Sequence, residues 1–148
     1  MHLVFVGGGA TEAYKKSLQE LSSALGVTDS VHWIENVSGK ELPGILGASQ
    51  CLLQPSHYEG FALPILEAMA TGVPGVLSNS SCLPEVSAGI WPALPVDDAD
   101  GFALAMDAMS MDEALREKAV VDGLRHAAGF TWQETARKTG VFFQDVLA

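Results

Sequence analysis

Pro55-Ser56-His57-Tyr58-Glu59-Gly60-Phe61-Ala62-Leu63-Pro64-Ile65-Leu66-Glu67-Ala68-Met69-Ala70-Thr71-Gly72 decides the fold. It follows an apolar run, Gln50–Gln54, which reads as a strand closed by Pro55. It then makes a loop and opens a helix at Pro64, with Gly72 after the helix end. A short apolar strand feeding a helix through a polar loop is the unit of a parallel sheet. In an open parallel sheet, ligands bind outside the carboxyl ends of the strands. The loop Gly60–Ile65 therefore aims main-chain N–H groups at such a crevice, where they can donate to sugar hydroxyls or to a phosphate.

Working outward, the same alternation continues. Leu3–Val6 is a short strand ending in Gly7-Gly8-Gly9. That glycine turn fits a phosphate-approaching loop or simply a tight strand-to-helix turn; it lacks the third glycine of a dinucleotide loop and the Lys-Ser/Thr of a P-loop. A helix is expected from Thr11 to Leu25, a strand at Val31–Ile34, and a helix from the capping-box pair Ser38 and Glu41 to about Ala48. Gly75–Leu77 and Ile90–Leu94 read as further strands. Leu83–Ser87, Ala99–Met109, Asp112–Ala127 and Thr131–Leu147 read as helices, the last with an aromatic and aliphatic face. The expected fold class is α/β, a Rossmann-like parallel sheet with flanking helices, and the 148 residues are read as one domain.

Charge narrows the function. Eighteen acidic residues against eight basic ones give a formal charge of −10. That argues against a nucleic-acid backbone binder and against an anionic membrane surface. No apolar run approaches the roughly 18 residues of a membrane span, so no membrane insertion is expected. The amino terminus lacks a basic n-region and a cleavage site. Cys51 and Cys82 make neither a disulfide framework nor a zinc pattern, and a cytoplasmic setting is expected. From Glu41 to Leu115 there is no Lys or Arg and there are ten acidic residues. An anion held by this stretch must rely on main-chain amides and helix N-termini, or on cations from elsewhere.

Two carboxylates flank the loop amides. Glu59 lies in the loop and Glu67 about one turn into the helix. A carboxylate accepting two hydroxyls holds a cis-diol, as in dinucleotide folds. A solvated loop acid and a partner for the helix dipole also account for the two residues. Glu67 is the only charge among Leu63, Ile65, Leu66, Ala68 and Met69, so it is expected to be buried with a partner. His57 and Cys82 have no activating partner in the sequence. Asp97, Asp98 and Asp100 read as a turn before a helix, and His2, His32 and His126 show no metal spacing.

The run from Glu59 to Pro74 closely resembles the E-x7-E signature of retaining glycosyltransferases of family 4. Leu3–Gly9, Val31-His32-Trp33, Ser78–Val86 and Phe130-Thr131-Trp132 resemble the family's other blocks, in its order. The resemblance implies the C-terminal, donor-binding half of a GT-B enzyme. Glu67 would hold the ribose hydroxyls and Glu59 the donor sugar near the reacting centre. Main chain at Gly60, Phe61, Ala62 and Leu63 would bind sugar hydroxyls or phosphate, and Val37 would lie by the nucleobase. The substrate would be a nucleotide-sugar donor, with no cofactor and no metal in this domain. Ala62 stands where the family commonly has glycine. Family members also carry, before the strand matching Leu3–Val6, a central strand followed by an Arg and a Lys that neutralise the diphosphate; nothing here matches them. The expectation is of part of a two-domain enzyme, inactive alone, with the acceptor-binding domain elsewhere and open strand edges that favour self-association. The family often works at the inner membrane face. A non-catalytic interaction module with this fold is the alternative.

Overall fold

The computed structural model describes residues 1–147. The chain divides into two compact units, Met1–Leu42 and Pro43–Ala148. The described strands form two parallel sheets, one of two strands and one of three.

In the first unit, β1 (Leu3–Val6) runs parallel to β2 (Val31–Ile34), with Leu3 opposite Val31 and Val6 opposite Ile34. Gly7 and Gly9 take positive φ in the turn that follows. Helix α1 (Glu12–Ala24) starts where Thr11 accepts from the Tyr14 amide at 3.2 Å. A single 3-10 turn, Thr28–Ser30, leads into β2. Alternation puts Phe5 and Trp33 together, and their rings stack at 4.3 Å. Lys15, from α1, sits 5.6 Å from the Trp33 ring centroid and pairs with Glu35. Ser22 is the one buried residue of this unit. Two strands and one helix enclose too little apolar area for more.

The Ser38–Glu41 pair forms, but α2 spans only Leu42–Gly47. Glu41 accepts from the Ser38 amide at 3.0 Å and from the Ser38 hydroxyl at 2.6 Å. The hydroxyl donates to Glu41 instead of accepting from a helix amide. Pro43, which cannot donate, then sits in the first turn rather than the interior.

In the second unit, β3 (Leu52–Gln54), β4 (Gly75–Ser78) and β5 (Ala93–Leu94) lie in that order, all parallel. Central β4 is buried throughout, as expected of a strand covered on both faces. Helix α3 (Leu63–Ala70) packs on β3 and on α6 (Glu113–Ala127); α5 (Ala99–Met111) packs on β4 and α6. Ile65, Met69, Val76, Leu77, Leu83 and Met109 form the core. The short α4 (Leu83–Val86) packs on β4. Asp98 caps α5 by accepting from the Gly101 amide at 2.9 Å, and Asp112 caps α6 from Leu115 at 2.9 Å. The acidic turn at Asp97–Asp100 is thus a helix start, as its sequence implies. The final helix, α7 (Trp132–Leu147), buries no residue, and its apolar side chains are solvent-facing.

Cys51 adjoins β3. Burial pushes its thiol up to about 11, against the smaller opposing effect of Arg116. At pH 8 roughly one thiol in a thousand would then be thiolate, the reactive form. Alkylation of Cys51 by iodoacetamide is expected to be slow at pH 8, to rise steeply with pH, and to become fast in urea. Mass spectrometry of timed samples checks this; complete modification of Cys51 within minutes at pH 8 would contradict it.

Candidate functional site

β3 and β4 end, at their carboxyl ends, in polar residues. Gln54 closes β3 and Ser78 closes β4. Between β3 and α3 the chain makes the loop Pro55–Ala62, and these polar ends hold it. Gln54 Nε2 donates to Glu59 Oε1 at 2.8 Å, and the Ser56 hydroxyl donates to the same oxygen at 2.8 Å. Gln54 Nε2 also reaches Ser56 Oγ at 3.0 Å. The Glu59 carbonyl accepts from Ser81 Oγ at 2.8 Å and from Cys82 Sγ at 3.4 Å. The Ser78 hydroxyl donates to the Ser56 carbonyl. Glu59 is therefore fixed at its main chain and at one carboxylate oxygen. The Oε2 oxygen has no partner among the described residues and remains available to a ligand hydroxyl.

The next four residues offer donors. The amides of Gly60, Phe61, Ala62 and Leu63 have no acceptor among the described residues. Ala62 is the N-cap of α3 and has no side chain to cap it. Pro64 lacks a donor in any case, so the unpaired N–H groups and the positive end of α3 fall on this loop. Phe61 is 46% exposed and meets Phe130 edge-on at 6.3 Å. Phe130 meets His126 at 5.0 Å, and His126 Nε2 lies 2.9 Å from the Val86 carbonyl. This aromatic chain ties the loop to the end of α6.

Ala62 has φ 63° and ψ 58°, the left-handed region that favours glycine. This is the position where glycine is expected from the resemblance. For alanine the region costs about 1–2 kcal/mol. Glycine would relieve that but lose a buried methyl, about 0.8 kcal/mol, and add about 0.5–1 kcal/mol of chain entropy. Ala62→Gly is accordingly expected to be close to neutral. Ala62→Val, β-branched at positive φ, is expected to cost about 2 kcal/mol. Urea titrations of the two variants check the contrast; equal destabilisation by both would contradict it.

Glu67 departs from expectation. It is exposed, not buried, and no side chain among the described residues pairs with it. At 100° per residue it falls on the side of α3 away from Ile65, Ala68 and Met69, which are buried. The apolar composition of the helix misled here, because its wet stripe carries Leu63, Pro64 and Ala70 as well. Without a partner among the described residues, its carboxylate keeps both oxygens open. No Lys or Arg pairs with Glu59 or Glu67 among the described residues. Val37 lies in the first unit, half-buried, in the segment between β2 and α2, next to Asn36 at φ 56°. His57 and Tyr58 are exposed. Gln54, Ser56 and Ser81 are the residues that sequence reasoning missed. The signal for Gln54 was a polar residue closing an apolar strand; Ser56 and Ser81 lie beyond the strand ends and carried none.

A loop of main-chain donors and carboxylates at the carboxyl ends of parallel strands is the layout of a sugar- or nucleotide-handling α/β domain. Residues 1–121 match the family described as "Glycosyl transferases group 1", and the chain belongs to that family. It is 36% identical over 109 residues to the O-antigen chain mannosyltransferase B of Escherichia coli, covering 74% of this chain and 29% of that protein. The chain spans about a third of the length of the curated relatives it matches. Among solved structures, sucrose-phosphate synthase from Thermosynechococcus elongatus superposes with a TM-score of 0.85 at 24% identity, over 99% of this chain and 38% of that one. Anabaena HepE, solved in complex with UDP, superposes with a TM-score of 0.73 at 18% identity, over 94% of this chain and 41% of that one. The fold is that of GT-B glycosyltransferases.

Proposed function

We propose that this chain is the donor-binding part of a retaining glycosyltransferase that moves a sugar from a nucleotide-sugar to an acceptor. The observation that carries the reading is the Glu59–Leu63 loop: one carboxylate held at Oε1 with Oε2 free, followed by four main-chain amides without acceptors. Glu59 would accept a hydroxyl of the donor sugar. The amides of Gly60, Phe61, Ala62 and Leu63 would donate to sugar hydroxyls or phosphate oxygens, supported by the dipole of α3. Glu67, exposed with both oxygens free, would accept the two ribose hydroxyls. Val37 would lend main-chain hydrogen bonds to the base. The HepE complex supports a nucleoside diphosphate as the class of ligand. The acceptor would be bound by a further domain, and the open strand edges, β1 in one sheet and β3 in the other, suit association with a second chain or segment. No cofactor or metal enters this scheme, and the work would be done at the cytoplasmic side. No helix of the described residues is long and apolar enough to cross a membrane.

Calorimetric titration with UDP, GDP and ADP tests the reading. One nucleotide is expected to bind saturably, and Glu67→Ala to weaken it roughly 10- to 100-fold, the worth of charge-assisted hydrogen bonds to the ribose. Unchanged affinity in Glu67→Ala would remove Glu67 from the site. Absence of binding by all three nucleotides at millimolar concentration would favour the non-catalytic interaction module.

A further inference from the structure

His2 and His32 stand thirty positions apart, a spacing that carries no metal signal in the sequence. The parallel register of β1 and β2 nevertheless brings them together. Val4 stands opposite His32, and His2 lies two residues before Val4 on the same side of the sheet. His2 Nδ1 lies 3.0 Å from His32 Nε2, with the ring centroids 5.1 Å apart and the planes tilted by 34°. Both residues are exposed, and no carboxylate or cation among the described residues occupies either nitrogen.

We propose that His2 and His32 form a two-histidine chelate for a divalent transition metal, bridging the two strands. Metal–nitrogen bonds of about 2.0–2.1 Å meeting at 90–109° place the two nitrogens about 2.9–3.4 Å apart. The observed 3.0 Å lies within that bite. Imidazole rotation about χ2 is soft, so modest turns of both rings swing the two lone pairs from facing each other onto one common point. Water completes the coordination sphere, since no third His, Cys, Asp or Glu joins them among the described residues. For two imidazoles the first-row order puts Cu2+ above Ni2+ and Zn2+. A bound metal ties β1 to β2 and stabilises the smaller sheet by mass action. The site lies toward the amino ends of β1 and β2, within the smaller unit, and shares no residue with the Glu59–Leu63 loop.

The test is calorimetric titration of the untagged chain with Cu2+, together with NMR of the histidine ring protons. One Cu2+ per chain is expected, with broadening confined at substoichiometric metal to His2 and His32 and sparing His57 and His126. His32→Gln is expected to weaken binding about 100-fold, the gain that links two ligands over one. Both positions are exposed, so the variants keep the fold, and unchanged circular dichroism verifies it. Retained affinity in His32→Gln, which would mean that His2 and its adjacent main chain bind alone, overturns the proposal. Equal broadening of His57 overturns it as well.

Discussion

Gly75→Ala is expected to lower the stability of the larger unit by about 3 kcal/mol, the upper range for an overpacked core. Gly75 opens β4, the strand between β3 and β5. An added Cβ would stand 2.5 Å from both Cε3 and Cζ3 of Trp91, far inside contact distance. Trp91 is 3% exposed and cannot swing out without leaving the core. The indole ring lies where a side chain at position 75 would be. Its Nε1 is also the one buried polar side-chain atom without a hydrogen bond among the described residues. Trp91→Phe removes both that orphaned donor and part of the ring at the contact. It should cost less than an ordinary large-to-small change, because an unsatisfied buried donor already costs about 1–3 kcal/mol. In the Trp91→Phe background the penalty of Gly75→Ala should shrink by at least ~1 kcal/mol, a coupling that a double-mutant cycle in urea resolves. Additive effects would mean that the two residues do not compete for the same space.

Glu59→Gln is expected to separate sugar from nucleotide recognition. The side chain keeps its size, but the charge is lost, and the new amide must turn one face toward the Gln54 and Ser56 donors that now meet at Oε1. The extra affinity of a nucleotide-sugar over its nucleoside diphosphate should fall by about 1.5–3 kcal/mol, the worth of a hydrogen bond to a charged group. Binding of the nucleoside diphosphate alone should change little, because Glu67 and the loop amides are untouched. Parallel titrations with diphosphate and sugar-diphosphate forms give both numbers. Loss of both affinities together would show Glu59 acting as a structural tie of the loop.

The layout of elements was legible because periodicity and punctuation agreed. Thr11, Asp112 and Gly72 mark helix ends by chemistry that the structure repeats, and β4 is a short apolar run bounded by Pro74 and Asn79. Boundaries slipped where sterics outranked pattern. Pro43 delayed α2, and β5 kept only Ala93 and Leu94 of the expected Ile90–Leu94. The loop Glu59–Leu63 was legible as a group because its residues are contiguous. Its supports were not: Gln54, Ser56, Ser81 and Cys82 reach Glu59 across two different strand ends, which only the pairing of β3 with β4 brings together. Glu67 was misjudged because composition reports how apolar a helix is and not which of its faces is wet. The left-handed backbone at Ala62 was hinted at by the glycine expected there, and the dihedral supplies the reason.

The central claim is that the amides of the Glu59–Leu63 loop receive the oxygens of a nucleotide-sugar. The direct measurement is a 1H–15N correlation titration of the labelled chain with UDP-, GDP- and ADP-sugars to millimolar concentration. One donor series is expected to shift the amides of Gly60, Phe61, Ala62 and Leu63 in a saturable manner, downfield as they acquire acceptors, while β4 amides stay in place. Saturable shifts confined to other segments, or none in that loop with any of the three, would contradict the account.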